Sequence, residues 1–82
     1  MDVGFTQHAR DVIAERRLSL NWMRRTLERP QVVQDATDGT RHFLAEVPER
    51  DGRVLRVVAN ASVEPPLVIT AFPDRRMQGR LQ

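Results

Sequence analysis

With 82 residues the chain can bury one hydrophobic core but not two, and the absence of Cys excludes disulfide and thiolate chemistry. Apolar residues make up 40%, yet no run approaches the roughly 18 residues of a membrane span, and the first residues lack the charged start and apolar stretch of a signal peptide. All 13 basic residues are Arg, but 11 interspersed acids hold the net charge to +2, so charge alone does not define a nucleic-acid binder.

We therefore expect one soluble, cytoplasmic domain over residues 1–82, with no membrane partner. A core this small contributes on the order of 3 to 5 kcal/mol, which leaves room for stabilisation by a partner or a second copy.

In chain order, Thr6 is the expected N-cap of a helix over Gln7 to Arg17. At about 100° per residue, Ala9, Val12 and Ile13 share one face, and Arg16 falls near its centre. Its head can reach past the helix end into water, pair with an acid, or cross the helix–sheet seam to a carboxylate or phosphate. Ser19 caps a second helix running to Arg29, with Leu18 and Met23 placed as a hydrophobic staple. Leu20, Met23 and Leu27 face inward, Trp22 lies at the edge, and Pro30 ends the helix.

After Pro30 the apolar period changes to that of strands, giving QVVQD, TRHFLAEV, RVLRVVAN and LVITAF. A two-residue Asp51-Gly52 loop would mix apolar and polar residues on each face. A three-residue Arg50-Asp51-Gly52 loop, with Gly52 left-handed, sorts them. It sets Phe43, Ala45 and Val47 opposite Ala59, Val57 and Leu55, and on the other face His42 opposite Asn60 and Glu46 opposite Arg56. In the last strand Leu67, Ile69 and Ala71 face the helices. Thr70 then joins His42, Arg56 and Asn60 on an open face among Leu44, Val58, Val68 and Phe72. The tail PDRRMQGRLQ frays or docks on a partner. The expected fold is α+β: an N-terminal helical hairpin packed on one face of a mainly antiparallel sheet of three to four strands.

The phrases FTQHARDVIAERRLSLNWMRRTLERPQVV, a Gly-x-Arg turn at Gly39 to Arg41, RVLRVVAN and LVITAFPDRR, in that order, resemble a family of small bacterial proteins classed as a domain of unknown function. That family is similar to BrnT and, more distantly, to RelE-type toxins. The resemblance implies a compact RelE/BrnT-like domain that cleaves or binds RNA and is inhibited by a cognate antitoxin. His8, Ala9, Arg16, Arg41, Thr70 and Arg75 or Arg76 match its pattern. The chain departs from RelE-type sites in having neither Tyr nor Lys.

Metal-independent RNA cleavage needs a base near the 2′-hydroxyl, an acid near the leaving 5′-oxygen and cations for the phosphorane charge. The expected catalytic set is His8, Arg16, Arg41 and His42, with Arg56, Asn60, Thr70, Arg75 and Arg76 contacting substrate. The plainer reading of Arg56 is a cross-strand partner of Glu46, worth roughly 0.2 to 1 kcal/mol. His8 and His42 have no ligand spacing, so no metal is expected, and no Gly-rich phosphate loop calls for a cofactor. The leading expectation is a toxin of a toxin–antitoxin type system, an endoribonuclease acting on RNA. The alternatives are a non-catalytic protein-binding module or homodimer, and a nucleic-acid-binding regulator that does not cut.

Overall fold

The structure, a computed structural model, describes residues 3–81; Met1, Asp2 and Gln82 of the expected domain lie outside the described residues. A short strand, β1 (Gly4–Phe5), leads into α1 (Gln7–Glu15) and α2 (Leu20–Glu28). Four strands follow: β2 (Val32–Asp35), β3 (Arg41–Val47), β4 (Arg53–Asn60) and β5 (Leu67–Pro73). The sheet order is β1-β5-β4-β3-β2, with β1 parallel to β5 and every other pair antiparallel. The sheet is therefore five-stranded and mixed, where three or four strands were expected. Two residues carry no readable period, so β1 is invisible in the sequence pattern.

Thr6 caps α1 as expected: its hydroxyl oxygen accepts from the Ala9 N–H at 3.0 Å. The helix ends two residues early because Arg17 is left-handed, at φ 55°. The Leu18 N–H reaches the Ile13 carbonyl at 2.9 Å and the Arg17 N–H reaches that of Ala14 at 3.2 Å. This is the Schellman ending, with Arg where Gly is the usual residue. An L side chain in that conformation costs roughly 1 to 2 kcal/mol, partly offset in Gly by backbone entropy. Arg17→Gly is thus expected to raise stability by about 1 kcal/mol, read from thermal or urea unfolding.

Ser19 caps α2 by accepting from the Asn21 N–H, and Arg29, pushed out of the helical region by the following Pro30, ends it. Met23, Thr26 and Leu27 are buried, whereas Leu20, expected inward, is 57% exposed. Leu20 is the first residue of α2 and lies at the link between the helices, off the face that packs on β3 and β4. Thr26 takes the third inward place because its hydroxyl donates to the Trp22 carbonyl at 2.8 Å, leaving nothing unsatisfied.

The β3–β4 faces match expectation, but the pairing is shifted by two residues. Phe43 lies opposite Val57, Ala45 opposite Leu55 and His42 opposite Val58. The loop is longer than expected because Pro48, with no N–H to donate, starts a 3-10 turn over Pro48–Arg50. Both Asp51 and Gly52 are left-handed. Shifting by two preserves the faces, so Glu46 lies opposite Val54 and Arg56 opposite Leu44. In β5 a bulge between Val58 and Ala59 of its partner resets the alternation. Ala71 faces the helices as expected; Val68, not Ile69 or Leu67, joins it in the core.

The main core lies between helices and sheet: Ala9, Leu18, Met23 and Leu27 against Leu55, Val57, Ala59, Val68 and Ala71. A second, smaller core covers part of the other face. There Leu81 packs on Leu44 and Val54, with Met77 and Val32 beside them. The tail expected to fray or to dock on a partner is therefore folded onto its own sheet, through a 3-10 turn at Arg75–Met77.

Arg16 crosses the helix–sheet seam, but to a main-chain oxygen. Because β1 pairs only with Leu67 and Val68, the outer edge of β5 has carbonyls left over. The Thr6 hydroxyl donates to the Ile69 carbonyl at 3.2 Å, and Arg16 Nη1 donates to that of Ala71 at 2.8 Å.

Candidate functional site

On the sheet face away from the helices, six side chains form one connected set of contacts. Asp74, just past β5, caps the Arg75–Met77 turn, its Oδ1 accepting from the Arg76 N–H at 3.1 Å. Its Oδ2 takes Nε and Nη2 of Arg56, each at 2.7 Å. Arg56 is 8% exposed and Asp74 4%. Arg56 Nη1 continues to Gln34 Oε1 at 3.3 Å and to His42 Nδ1 at 2.8 Å. A guanidinium can only donate, so Nδ1 accepts and the ring proton sits on Nε2. Nε2 lies 3.3 Å from the Thr40 hydroxyl, which donates to Asp38 at 2.6 Å.

The strands make this possible by setting Gln34, His42 and Arg56 on one face of β2, β3 and β4. Burial acts most strongly on the Asp74 carboxyl and by itself would raise its pKa. The hydrogen bonds and charge of Arg56, with the Arg76 N–H, outweigh it and hold the pKa below the ordinary value. The exposed Asp38 carboxyl is also lowered, chiefly by the hydroxyl and N–H of Thr40. No buried side-chain polar atom among the described residues lacks a partner.

The expected site residues divide between the two layers. His8 is exposed on α1, on the helical side, whereas His42 is half-buried on the opposite face. The two histidines do not converge. Arg16 holds the β5 edge. Arg41 is exposed and pairs with Asp35 at 2.6 Å on the face of Phe43, so it does not join His42 either. Arg56 pairs with Asp74, not Glu46, because the two-residue shift moves Glu46 away and the tail brings Asp74 in. Asn60 accepts from the Ser62 N–H, closing the start of its loop. Thr70 lies opposite Val58, on the side of His42. Arg75 and Arg76 are exposed, and the Arg76 guanidinium stands 3.6 Å from Asp74. Arg53, Arg75, Gln78 and Asp74 line a depression of about 210 Å³ over Val54 and Pro73.

Asp38, Thr40, Gln34 and Asp74 were not among the expected site residues. The signals available were local: Asp38-Gly39-Thr40 is a turn sequence that aims one side chain back at another, and Asp74 ahead of Arg75-Arg76 is a cap. Among the described residues no group of three or more His, Asp or Glu gathers to hold a metal, and no helix is long and apolar enough to cross a membrane.

A helical hairpin on a five-stranded mixed sheet defines an α+β domain, and the polar line on its far face is built from arginine, one histidine, carboxylates and their hydrogen-bonding neighbours. The chain belongs to the family described as a domain of unknown function, DUF4258, whose model matches residues 5–73. The matched stretch runs from β1 through β5 and stops one residue before Asp74. No curated protein and no solved structure matches the chain.

Proposed function

We propose that this domain is RNA-directed, a cytoplasmic toxin related to BrnT and RelE and held in check by a cognate antitoxin, with the polar sheet face as its RNA side. The observation that carries the reading is the pair of exposed arginines, Arg53 and Arg75, flanking the depression above Asp74, with Arg76 beside them. Asp74 links this depression to His42 through Arg56. Arg53, Arg75 and Arg76 supply planar donors for phosphate oxygens.

The role of His42 changes from that expected. With Nδ1 taken by Arg56 and the proton on Nε2, the ring offers a donor to a phosphate oxygen and does not act as a base at Nε2. Its contact to Thr40 is long, at 3.3 Å, so Nε2 is the ring atom placed to exchange partners. The base for a 2′-hydroxyl is then Asp38, exposed beside Thr40; it takes the 2′ proton as the 2′-oxygen bonds to phosphorus, and solvent water protonates the departing 5′-oxygen. The lowered pKa of Asp38 makes it a weak base, so the proposed cleavage relies mainly on stabilising phosphorane charge. Arg56 has no role at the phosphate, its donors being used within the chain.

The test is a labelled RNA oligomer followed by anisotropy for binding and by gel for cleavage. Arg75→Ala with Arg76→Ala is expected to weaken binding roughly tenfold at low salt and to flatten the salt dependence. His42→Asn is expected to lower cleavage with binding kept. Binding without any cleavage would assign the non-cutting regulator instead. Affinity indifferent to salt and to both arginines would end the RNA reading.

A further inference from the structure

A second surface lies on the helical side, in the angle between β1, α1 and the start of α2. Phe5, Ile13 and Leu20 line a shallow groove of about 590 Å³, with Arg10 and Arg17 along its rim. Three observations set it apart from ordinary surface. Leu20 is the most exposed of the large apolar side chains, 57% open, although its position in α2 is apolar by pattern. Arg10, Ile13 and Ala14 are spaced three and four apart, so they form one stripe on α1, and Arg17, just past the helix end, lines the same groove. And Arg17, held left-handed at φ 55° where Gly costs less, sets an exposed cation at the groove just past the end of α1.

The acids of α1 do not neutralise the rim. Asp11 and Glu15 lie about a quarter to a half turn away from the stripe, and Asp11 is taken by the Gln7 amide at 2.9 Å. The groove is therefore apolar at its floor and cationic at both ends.

We propose that this groove docks an acidic amphipathic helix of a partner protein, its apolar side chains on Phe5, Ile13 and Leu20 and its carboxylates on Arg10 and Arg17. Seven residues separate the two arginines, roughly 10 Å along a helix. The matching partner carries carboxylates at i and i+7 and apolar residues at i+3 and i+4. Charge decides between this occupant and a second copy: two copies of the groove face to face would set Arg10 and Arg17 against the same arginines. The proposal stands whether or not the sheet face handles RNA, since the two surfaces lie on opposite layers.

The experiment uses the full chain and two synthetic helical peptides with Leu at i+3 and i+4, one with Glu and one with Lys at i and i+7. Titration is followed by fluorescence anisotropy at low and physiological salt. The Glu peptide is expected to bind at least tenfold more tightly than the Lys peptide. The Arg10→Glu, Arg17→Glu variant is expected to reverse that preference, and Leu20→Ser to weaken the Glu peptide about tenfold with its circular dichroism unchanged. Equal binding of both peptides, or of neither, overturns the proposal. So does a concentration-dependent dimer that Leu20→Ser dissociates, which would assign the groove to a second copy. Loss of RNA binding in the double Glu variant, with peptide binding absent, would assign the arginines to RNA.

Discussion

Asp74→Ala is expected to leave the domain largely unfolded at neutral pH. The substitution strands the Arg56 guanidinium, 8% exposed, without its carboxylate. Breaking a buried pair from one side costs about 3 to 5 kcal/mol, the same order as the whole stability of a core this size. The loss also frees the cap of the Arg75–Met77 turn and with it the anchor of the tail. Replacing both partners, Arg56→Met with Asp74→Leu, is expected to recover most of the stability, because no charge is then left unpaired. Urea unfolding of the three proteins checks this, and a double variant no more stable than Asp74→Ala would contradict it. The pair also fixes an acid limit. Since the folded pKa of Asp74 is lowered, its contribution is fully present above the unfolded value of about 3.9 and is lost as pH falls through the folded value. Wild type is expected to weaken steeply below about pH 4, and the double variant to lack most of that acid slope. What slope remains comes from exposed carboxylates such as Asp38 and Glu49, whose pKa values are also lowered.

The pair illustrates which features of the molecule can be read in one dimension. RVLRVVAN gave β4 with both its ends, and QVVQD, TRHFLAEV and LVITAF gave their strands to within a residue, because alternation and turn residues are local. The Thr6 and Ser19 caps are local as well. The face of His42 and Arg56 followed from parity and survived a wrong loop length, since a two-residue slip turns no side chain over. The partner of Arg56 did not, because it depends on register and on a tail that returns from outside the strand pattern. The β5 bulge was hidden for a different reason: LVITAF is apolar on both faces, so no polar residue marks where alternation resets. At the site, a match of residue types does not specify convergence. His8 and His42 both fit the chemistry of RNA cleavage, and the sheet stands between them.

Leu81→Ala is expected to cost about 2 to 3 kcal/mol, the lower part of the range for buried Leu because the site lies at the domain's margin. Leu81 is 5% exposed and, among the described tail residues, is the one fully within the second core, resting on Leu44 and Val54 with Met77 packed beside it. Truncation uncovers the sheet face at Leu44, which is fully buried, in the row where Leu44 lies opposite Arg56. Water admitted there also weakens the Arg56–Asp74 pair by raising the local dielectric. The effect should therefore exceed the area term alone, and the variant's acid slope should become shallower. Leu81→Met, which keeps the volume, is expected to cost less than about 1.5 kcal/mol. Equal unfolding midpoints for wild type and Leu81→Ala would show the tail detached in solution. In the expected case the tail acts as the cover of part of the far face: Gln78 lines the depression beside Arg53 and Arg75, and Leu81 packs on Val54, which lines it as well.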